Sequence, residues 1–166
     1  NMIFIGIGSN LSSEAFGNPM KNCIEAVKIL NNEISIEEIS PWYKSEPVPK
    51  SDQPWYVNGV LNINTDLNPL EVLNILLKIE TNFGRTRGKK NESRVLDLDL
   101  LTFNDLILDT KKLIIPHPRM HLRSFVMKPI TDINPNWVHP KLKIKSKDIM
   151  LRINKEQGIE KIKNND

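Results

Sequence analysis

The chain has 166 residues, of which 39% are hydrophobic and 26% charged, and this length and composition suit one globular domain with a substantial core. A formal net charge of +3 and a sequence pI near 9.0 fit an anionic ligand, but they are too small to indicate nucleic-acid binding on their own. The single cysteine, Cys23, excludes an intrachain disulfide and a zinc cluster built from cysteines.

Two further features of the chain bear on its location. No secretory signal opens it, and no apolar run approaches the roughly 20 residues that a membrane-spanning helix needs. We therefore expect a cytoplasmic protein with no membrane partner.

Asn1 precedes Met2, which reads as an initiator, so we treat Asn1 as a cloning remnant. We expect one domain over residues 2–166, in which 137–166 form a C-terminal extension.

The first predicted elements are a strand and a helix. Residues 2–10 form a β-rich apolar run that breaks into a turn at its glycine, serine and asparagine residues. Pro19 follows Asn18 at the first position of a helical pattern over residues 19–30. One apolar stripe along this pattern carries Met20, Ile24, Val27 and Leu30.

Two extended segments and a second helix come next. Residues 34–48 end in a proline-rich loop, and residues 55–66 return as another strand, so we expect the two to pair antiparallel. The second helix covers residues 69–83 and repeats the start of the first, with Asn68 as the cap, and it ends at Gly84.

The segment SRVLDLDLL, residues 93–101, reads as a buried strand that carries two acidic residues. Because side chains alternate along a strand, Asp97 and Asp99 share one face, roughly 7 Å apart at Cα. An exposed polar face of an edge strand is one explanation, but Val95 and Leu101 on the same face are apolar. Like charges held side by side in apolar surroundings destabilise one another unless a cation or hydrogen-bond donors compensate. We therefore favour a Mg²⁺ site, since Mg²⁺ takes one or two protein carboxylates and completes its shell with water and phosphate oxygens.

The end of the chain is predicted in less detail. Asn104 and Asp105 indicate a hairpin from the aspartate strand into residues 106–109. Residues 117–133 read as short helices, and a Lys-rich tail follows Trp137.

A basic segment precedes the aspartate strand. Such runs are commonly solvated surface, but this one joins a helix end to a candidate metal strand, and its glycines permit movement. Guanidinium groups matched to phosphate oxygens are what polyphosphate transfer requires. Its cations are Arg85, Arg87, Lys89, Lys90 and Arg94.

Other polar and aromatic candidates are weaker. His117 and His121 have a zinc-like spacing, but Pro118 between them argues against a continuous helix, so His117 fits better as a phosphate donor or a structural loop histidine. The run GIGSN lacks the third glycine of a dinucleotide-binding loop, and no P-loop signature occurs. The aromatic residues Trp42, Tyr56 and Phe125 are more often core residues than a ligand cage.

Five segments in this order and spacing resemble the 6-hydroxymethyl-7,8-dihydropterin pyrophosphokinase family of folate biosynthesis. They are GIGSNL, DQPWYVNGV, IETNFGRTR, RVLDLDLL and IPHPRMHLRSFVMKPI, and the resemblance runs from Met2 to about Ile133. It implies an α+β, ferredoxin-like fold with helices on a mainly antiparallel sheet. It also implies an enzyme that transfers the β,γ-diphosphate of ATP to the hydroxymethyl group of the pterin and releases AMP. The expected partners are ATP and a reduced pterin, without nucleic acid, and the expected state is a monomer.

The resemblance also implies residue roles. Asp97 and Asp99 would hold two Mg²⁺ ions, and Tyr56 and Phe125 would sandwich the pterin. Asn58 would read the amide-like edge of the pterin, since its side chain offers a donor and an acceptor. The implied roles of the other residues are as follows: Gly8 allows close approach of ligand; the loop with Ser45, Glu46 and Val48 completes the pterin edge; Arg85, Arg94, His117 and Arg123 hold phosphates, with Glu80 nearby; and Leu100 and Lys112 lie toward the nucleotide.

Two departures from the family pattern affect these expectations. The segment KKNES stands where familiar members carry a tryptophan and a Gly-Pro, and it is one residue shorter. Lys112 and Ile114 stand where an arginine and a threonine are familiar, and a lysine offers a point charge rather than a planar fork.

Two other classes of protein remain as alternatives. A nucleotidyltransferase or a metal nuclease would also need paired aspartates, but neither would release AMP from ATP in this way. An RNA-binding α+β domain would need exposed sheet aromatics in an RNP-like pattern, which the sequence lacks.

Overall fold

The computed structural model describes residues 2–84, 95–153 and 155–163. The first strand, β1 (Ile3–Ser9), leads into helix α1 (Pro19–Asn31). This helix begins where the sequence predicts, because the side chain of Asn18 accepts a hydrogen bond from the Lys21 N–H at 3.0 Å. The basic segment, with Arg85 and Arg94, lies outside the described residues.

The predicted extended segment 34–48 is divided into two strands, β2 (Ser35–Ile39) and β3 (Tyr43–Ser45). Both pair antiparallel with β4 (Tyr56–Asn64), as expected, and the register shifts between Ile36 and Glu38. Helix α2 (Pro69–Asn82) then begins with a complete capping box between Asn68 and Glu71.

The aspartate strand is β5 (Asp97–Leu100), and it pairs antiparallel with β1. The remaining elements are β6 (Leu108–Asp109), β7 (Ile114–Ile115), a 3₁₀ turn (Met120–Leu122), α3 (Ser124–Ile133), α4 (Ser146–Arg152) and β8 (Ile159–Lys161). The main sheet has the order β5-β1-β4-β3-β8, with β2 also on β4. The path β1-α1-β2-β4-α2-β5 over an antiparallel sheet is the ferredoxin-like arrangement, so the α+β prediction is confirmed.

The sheet separates two apolar cores. On one face α1 and α2 cover side chains that include Ile5, Leu61 and Leu98. On the other face α3 and α4 cover Phe4 and Val60. Successive side chains of β1 point alternately to the two cores, so each of them faces only one core. Cys23 of α1 is fully buried in the first core, and burial raises the pKa of its thiol to about 12.

The predicted hairpin from the aspartate strand into residues 106–109 is wrong, although a turn does lie at Asn104, whose φ is 54°. After β5 the chain continues along the start of β1, because the Leu101 N–H donates to the Phe4 carbonyl at 2.9 Å. Residues 106–109 therefore supply β6, which pairs with β7 in a separate two-stranded sheet. Turn residues predicted the reversal but could not predict the partner strand.

The segment after Trp137 is more ordered than a Lys-rich tail suggests. It forms α4 against α3 and then β8, which pairs with β3 at the sheet edge. Within the described parts of the chain, no helix combines the length and the apolar character needed to cross a membrane.

A buried histidine in this segment leads to a prediction about stability. His139 is only 3% exposed, and its Nδ1 accepts hydrogen bonds from the Lys141 and Leu142 N–H groups at 3.2 and 3.0 Å. Burial, and then the nearby His121 and Lys141, lower its pKa from 6.5 to about 4. A proton on Nδ1 would displace both donors, so the folded protein resists protonation at this site.

The sign of the pH effect follows from this lowered pKa. Between about pH 6.5 and pH 4 the unfolded chain binds a proton at His139, whereas the folded chain does not. The contribution of neutral His139 to the free energy of unfolding is therefore complete above pH 6.5 and is lost as the pH falls. We expect the free energy of unfolding, from urea titrations, to fall on the order of 2 kcal/mol more in the wild type than in His139→Asn over this range. The asparagine keeps a similar acceptor without a titrating group. Equal pH dependence in the two proteins would contradict the prediction.

Candidate active site

The candidate site lies on the α3 face of the sheet, where the central strand β1 carries glycines instead of side chains. Gly8 is paired with Asp97 on one side and with Asn58 on the other. Gly6 is paired with Asp99 in the same way. Directly opposed residues of an antiparallel pair share a face, so the two glycines leave a trough between the aspartates of β5 and the polar start of β4.

This trough is the floor of a cavity that opens to solvent, and the empty space, including open solvent at its mouth, is about 770 Å³. Strands β1, β4 and β5 form the floor, the loop after β3 forms one wall, and the start of α3 forms the opposite wall. The lining residues are Gly6, Ile7, Gly8, Glu46, Val48, Tyr56, Asn58, Gly59, Asp97, Asp99, Arg123, Phe125 and Val126.

The two carboxylates of β5 face this cavity. Asp97 and Asp99 are half-buried, whereas Leu98 and Leu100 between and beyond them are buried against the other core. This is the alternation that the sequence predicts. Among the described residues no group of three or more histidine, cysteine or acidic residues could hold a metal ion. A pair of carboxylates still fits Mg²⁺, because that ion needs only one or two from the protein when water and phosphate oxygens supply the rest.

Arg123 supplies the positive charge that the paired aspartates require. It lies at the N-terminal boundary of α3 and lines the cavity. Burial lowers the pKa of its guanidinium, while the negative charges of Asp99 and Asp97 act in the opposite direction. The arginine therefore lies within the field of both carboxylates. Such a group also suits a phosphate ligand, since its planar fork can donate two parallel hydrogen bonds.

His117 lies in the same electrostatic field. Its N–H donates to the Leu101 carbonyl at 2.8 Å, which ties it to the chain just after β5. Its Nδ1 accepts from the Arg119 N–H at 3.2 Å. Burial, followed by the charges of Arg123 and Arg119, lowers its pKa to about 4, with a smaller opposing effect from Asp97. The imidazole is therefore neutral at pH 7, and because Nδ1 is an acceptor, its hydrogen is on Nε2 as a donor.

The other end of the cavity is aromatic and amide-like. Tyr56 lies at the start of β4, and Phe125 lies in the first turn of α3 with the Arg123 guanidinium 5.5 Å from its ring centroid. Asn58 is 6% exposed, and its Nδ2 donates to the hydroxyl of Ser45. This bond fixes the amide orientation, so Asn58 presents a defined donor and acceptor edge.

Gly8 is required by the position of this amide. A Cβ at Gly8 would lie 2.7 Å from the Asn58 Oδ1, which is closer than side-chain carbons approach in real structures. Trp42, by contrast, packs over Gly59 on the opposite face of the sheet, where a Cβ at Gly59 would lie 2.7 Å from the indole ring. Of the three aromatic candidates, Trp42 is thus a core residue, whereas Tyr56 and Phe125 line the cavity.

Four of the described residues expected at the nucleotide are not among the residues that line the cavity, and His117, whose position is given above, is one of them. Glu80 is 1% exposed, and its Oε2 accepts a hydrogen bond from the Leu98 N–H at 2.9 Å, at the outer edge of β5. Leu100 is buried in the core beneath α1 and α2. Lys112 is exposed in the turn between β6 and β7. His121 packs against His139, with 5.9 Å between ring centroids, and not against His117.

Sequence analysis did not identify four of the residues that line the cavity, Gly6, Ile7, Gly59 and Val126, or a segment that bonds to both of its walls. Gly6 has no separate motif signal, and only its pairing with Asp99 shows that it opens the trough. The segment around Gln157 and Gly158 contacts both walls of the cavity, but it carries no periodicity and stands in a charged stretch.

Comparison with known proteins shows one family over most of the chain. The model of the family described as 7,8-dihydro-6-hydroxymethylpterin-pyrophosphokinase (HPPK) matches residues 4–135. A 2-amino-4-hydroxy-6-hydroxymethyldihydropteridine pyrophosphokinase of Haemophilus influenzae is 38% identical over 141 residues, which cover 85% of this chain and 86% of that protein. The protein of the same name from Synechocystis is 44% identical over 108 residues, which are 65% of this chain and 55% of the relative.

Longer proteins match as well. A "Folic acid synthesis protein FOL1" of Dictyostelium discoideum is 35% identical over 92% of this chain, and the match spans only 22% of that protein. A crystal structure of Plasmodium falciparum HPPK-DHPS has a TM-score of 0.66 at 14% identity, covering 92% of this chain and 41% of the other. At that identity the structural likeness supports the fold alone. This chain spans about a fifth of the Dictyostelium protein and about half of the Synechocystis protein.

Proposed function

Because the chain belongs to the 7,8-dihydro-6-hydroxymethylpterin-pyrophosphokinase family, a family of enzymes, we propose that it transfers the β,γ-diphosphate of ATP to the hydroxymethyl group of 6-hydroxymethyl-7,8-dihydropterin and releases AMP. One observation carries the proposal: a single cavity joins an aromatic and amide-lined end to an end with two carboxylates and an arginine. A flat pterin fits the first end, and a polyphosphate fits the second.

The pterin end is proposed to bind the ring by stacking and by edge recognition. Tyr56 and Phe125 are the aromatic surfaces for the ring, since offset stacking suits rigidly held aromatic side chains. Asn58, oriented by Ser45, reads the donor and acceptor edge of the pterin. Backbone groups of residues 45–48 complete this edge. The lining of the cavity by Glu46 and Val48 supports that assignment.

The phosphate end is proposed to hold two Mg²⁺ ions and the phosphates of ATP. Asp97 and Asp99 are the residues that would hold the ions, which neutralise phosphate charge when bound. Arg123 would bind phosphate oxygens, and His117 would donate from Nε2. The family resemblance adds to the phosphate and nucleotide contacts Arg85 and Arg94, which lie outside the described residues, and Glu80, Leu100 and Lys112.

The proposed reaction forms one phosphorus–oxygen bond and breaks another. The hydroxymethyl oxygen attacks the β-phosphorus and its proton passes to water, while the bond from that phosphorus to the oxygen shared with the α-phosphate breaks, so AMP leaves. His117 is a weak base because its pKa is lowered to about 4. We therefore assign the rate enhancement to alignment of the hydroxyl and to neutralisation of phosphate charge. Among the described residues, Arg123 would contribute to this neutralisation.

The product of ATP turnover tests this proposal. The protein is mixed with Mg²⁺, ATP and the reduced hydroxymethylpterin, and the nucleotides are separated by ion-exchange chromatography. We expect AMP and a diphosphorylated pterin in equal amounts, both dependent on the pterin. Accumulation of ADP, or of inorganic diphosphate with a nucleotidylated product, would contradict the reaction and favour another phosphotransferase or a nucleotidyltransferase.

Gly8 provides a test of the pterin end. We expect Gly8→Ala to weaken pterin binding about ten- to hundredfold, because the added methyl group would push the Asn58 amide out of position and disturb its hydrogen bonds to the ring. The control is a double-mutant cycle with Asn58→Ala: if the methyl group acts through the Asn58 amide, adding Gly8→Ala to Asn58→Ala should cost little further pterin affinity. Titration calorimetry measures the two single variants and the double variant. A full additional loss of pterin affinity in the double variant would contradict the role given to Asn58.

We further propose a cytoplasmic monomer that uses ATP and the pterin without nucleic acid, and in which residues 137–166 belong to the same domain. The packing of α4 on α3 supports the assignment of residues 137–166 to that domain. The presence of a single cysteine in the sequence fits a reducing compartment.

A further inference from the structure

Residues 155–163 form a strap that is hydrogen-bonded to both walls of the cavity. The strap lies outside the part of the chain that the family model matches, which ends at residue 135. Gln157 holds one wall. Its Oε1 accepts a hydrogen bond from the Ser124 N–H at 2.9 Å, and its Nε2 donates to the Leu122 carbonyl at 2.9 Å. These two backbone groups stand on either side of Arg123.

The next residue of the strap holds the opposite wall. The Gly158 N–H donates to the Glu46 Oε1 at 3.0 Å, and the Glu46 N–H donates to the Gly158 carbonyl at 3.0 Å. Beyond Gly158 the strap pairs as β8 with β3, with Ile159 opposite Ser45. Ser45 is the residue whose hydroxyl accepts from Asn58.

The start of α3 depends on this strap for a cap. Arg123 occupies the N-cap position, and its side chain makes no hydrogen bond to the described helix. The first N–H groups of a helix lack intrahelical partners, and the Gln157 amide satisfies the N–H of Ser124. The same helical turn carries Phe125, so the one amide fixes the backbone that presents both the cation and the aromatic ring of the cavity.

We propose that Gln157 and Gly158 are positioning residues that set the distance between the two walls of the substrate cavity. The inference rests on the proposed function and deepens it, because it assigns the fit to the pterin partly to a segment outside the matched family region. Neither residue is among those that line the described cavity, so both act through the residues that they hold: Gln157 through Arg123 and Phe125, and Gly158 through Glu46.

Steady-state kinetics and thermal unfolding together test this role. We expect Gln157→Ala to lower kcat/KM for the pterin about tenfold, since the loss of two hydrogen bonds frees the start of α3. Gln157→Glu keeps the acceptor for the Ser124 N–H, so it should recover part of that loss. Gly158→Ala tests the other wall and should weaken pterin binding by a similar factor, because its Cβ would lie 2.2 Å from the Glu46 Oε1.

Two controls separate positioning from general stability. Glu160→Ala truncates an exposed side chain of the same strap and should leave kcat/KM unchanged. Val27→Ala removes methyl groups from the far core and should lower the Tm about as much as Gln157→Ala does, with kcat/KM unchanged.

The outcomes distinguish this inference from the proposed function. If the wild type forms AMP from ATP and pterin but Gln157→Ala and Gly158→Ala keep its kcat/KM, the positioning role is wrong. The same conclusion follows if Val27→Ala loses as much kcat/KM as Gln157→Ala at equal Tm. If the wild type forms no AMP, the proposed function itself fails.

Discussion

Replacing Asp97 with asparagine is expected to lower kcat by about a thousandfold or more, and Asp99→Asn should do the same. Both carboxylates lie on the cavity face of β5 in the field of Arg123, where an amide of the same size keeps the shape but loses the charge. The concentration of Mg²⁺ needed for half-maximal ATP turnover should rise in each variant. Turnover of ATP with pterin, measured as AMP over a Mg²⁺ titration, checks both effects.

The fold should survive these changes. Removing one of two neighbouring like charges relieves repulsion, so we expect the Tm to stay equal to that of the wild type or to rise. Asp66→Asn, at an exposed position before α2, is the matched control and should leave kcat unchanged. Wild-type kcat in Asp97→Asn at saturating Mg²⁺ and ATP would remove the metal site from the proposal.

Replacing Arg123 with alanine is expected to lower kcat/KM by about a hundred- to a thousandfold. The charges of both aspartates act on the pKa of Arg123, and Arg123 lines the same cavity as the two aspartates and Phe125. Arg123→Lys should recover only part of the loss, because a lysine supplies the charge without the planar fork that binds two phosphate oxygens. Initial rates of AMP formation over a range of ATP concentrations measure the effect.

Arg119 offers the control for a purely electrostatic contribution. Its charge lowers the pKa of both Arg123 and His117, but it is exposed and is not among the described lining residues. We expect Arg119→Ala to reduce kcat/KM by less than about threefold, as a solvent-screened charge should. If Arg119→Ala and Arg123→Ala lose activity to the same extent, the direct role of Arg123 in holding phosphate is contradicted.

The helices that precede the site could be predicted because their ends have local signals. Asn18 and Asn68 each stand before a proline, and each caps its helix as the sequence indicates. The shared face of Asp97 and Asp99 could be predicted for a similar reason, since the alternation of a strand depends only on its own residues. The use of Gly8 beside Asn58 needed the family resemblance, because glycine spacing alone also fits an ordinary turn.

The features that sequence reasoning missed depend on contacts between distant segments. Asn104 turns the chain as predicted, but the strand beyond it pairs with β7 and not with β5. The Glu80 side chain accepts a hydrogen bond at the outer edge of β5, where a hairpin partner would lie. The strap around Gln157 resembles a solvated tail in sequence, since each of its contacts is made across more than 30 residues, to Ser124 at a separation of 33 and to Glu46 at a separation of 112. No local sequence pattern indicates such long-range contacts.

The burial of Cys23 has a practical consequence for experiments in solution. Thiol reagents attack the thiolate, and a fully buried thiol with a pKa raised to about 12 gives almost none near neutral pH. Because the sequence has only this cysteine, the folded protein should not react with maleimides. A cysteine introduced at Val48, which is 47% exposed on the cavity rim, would then be a unique attachment point for a fluorophore that reports occupancy of the cavity.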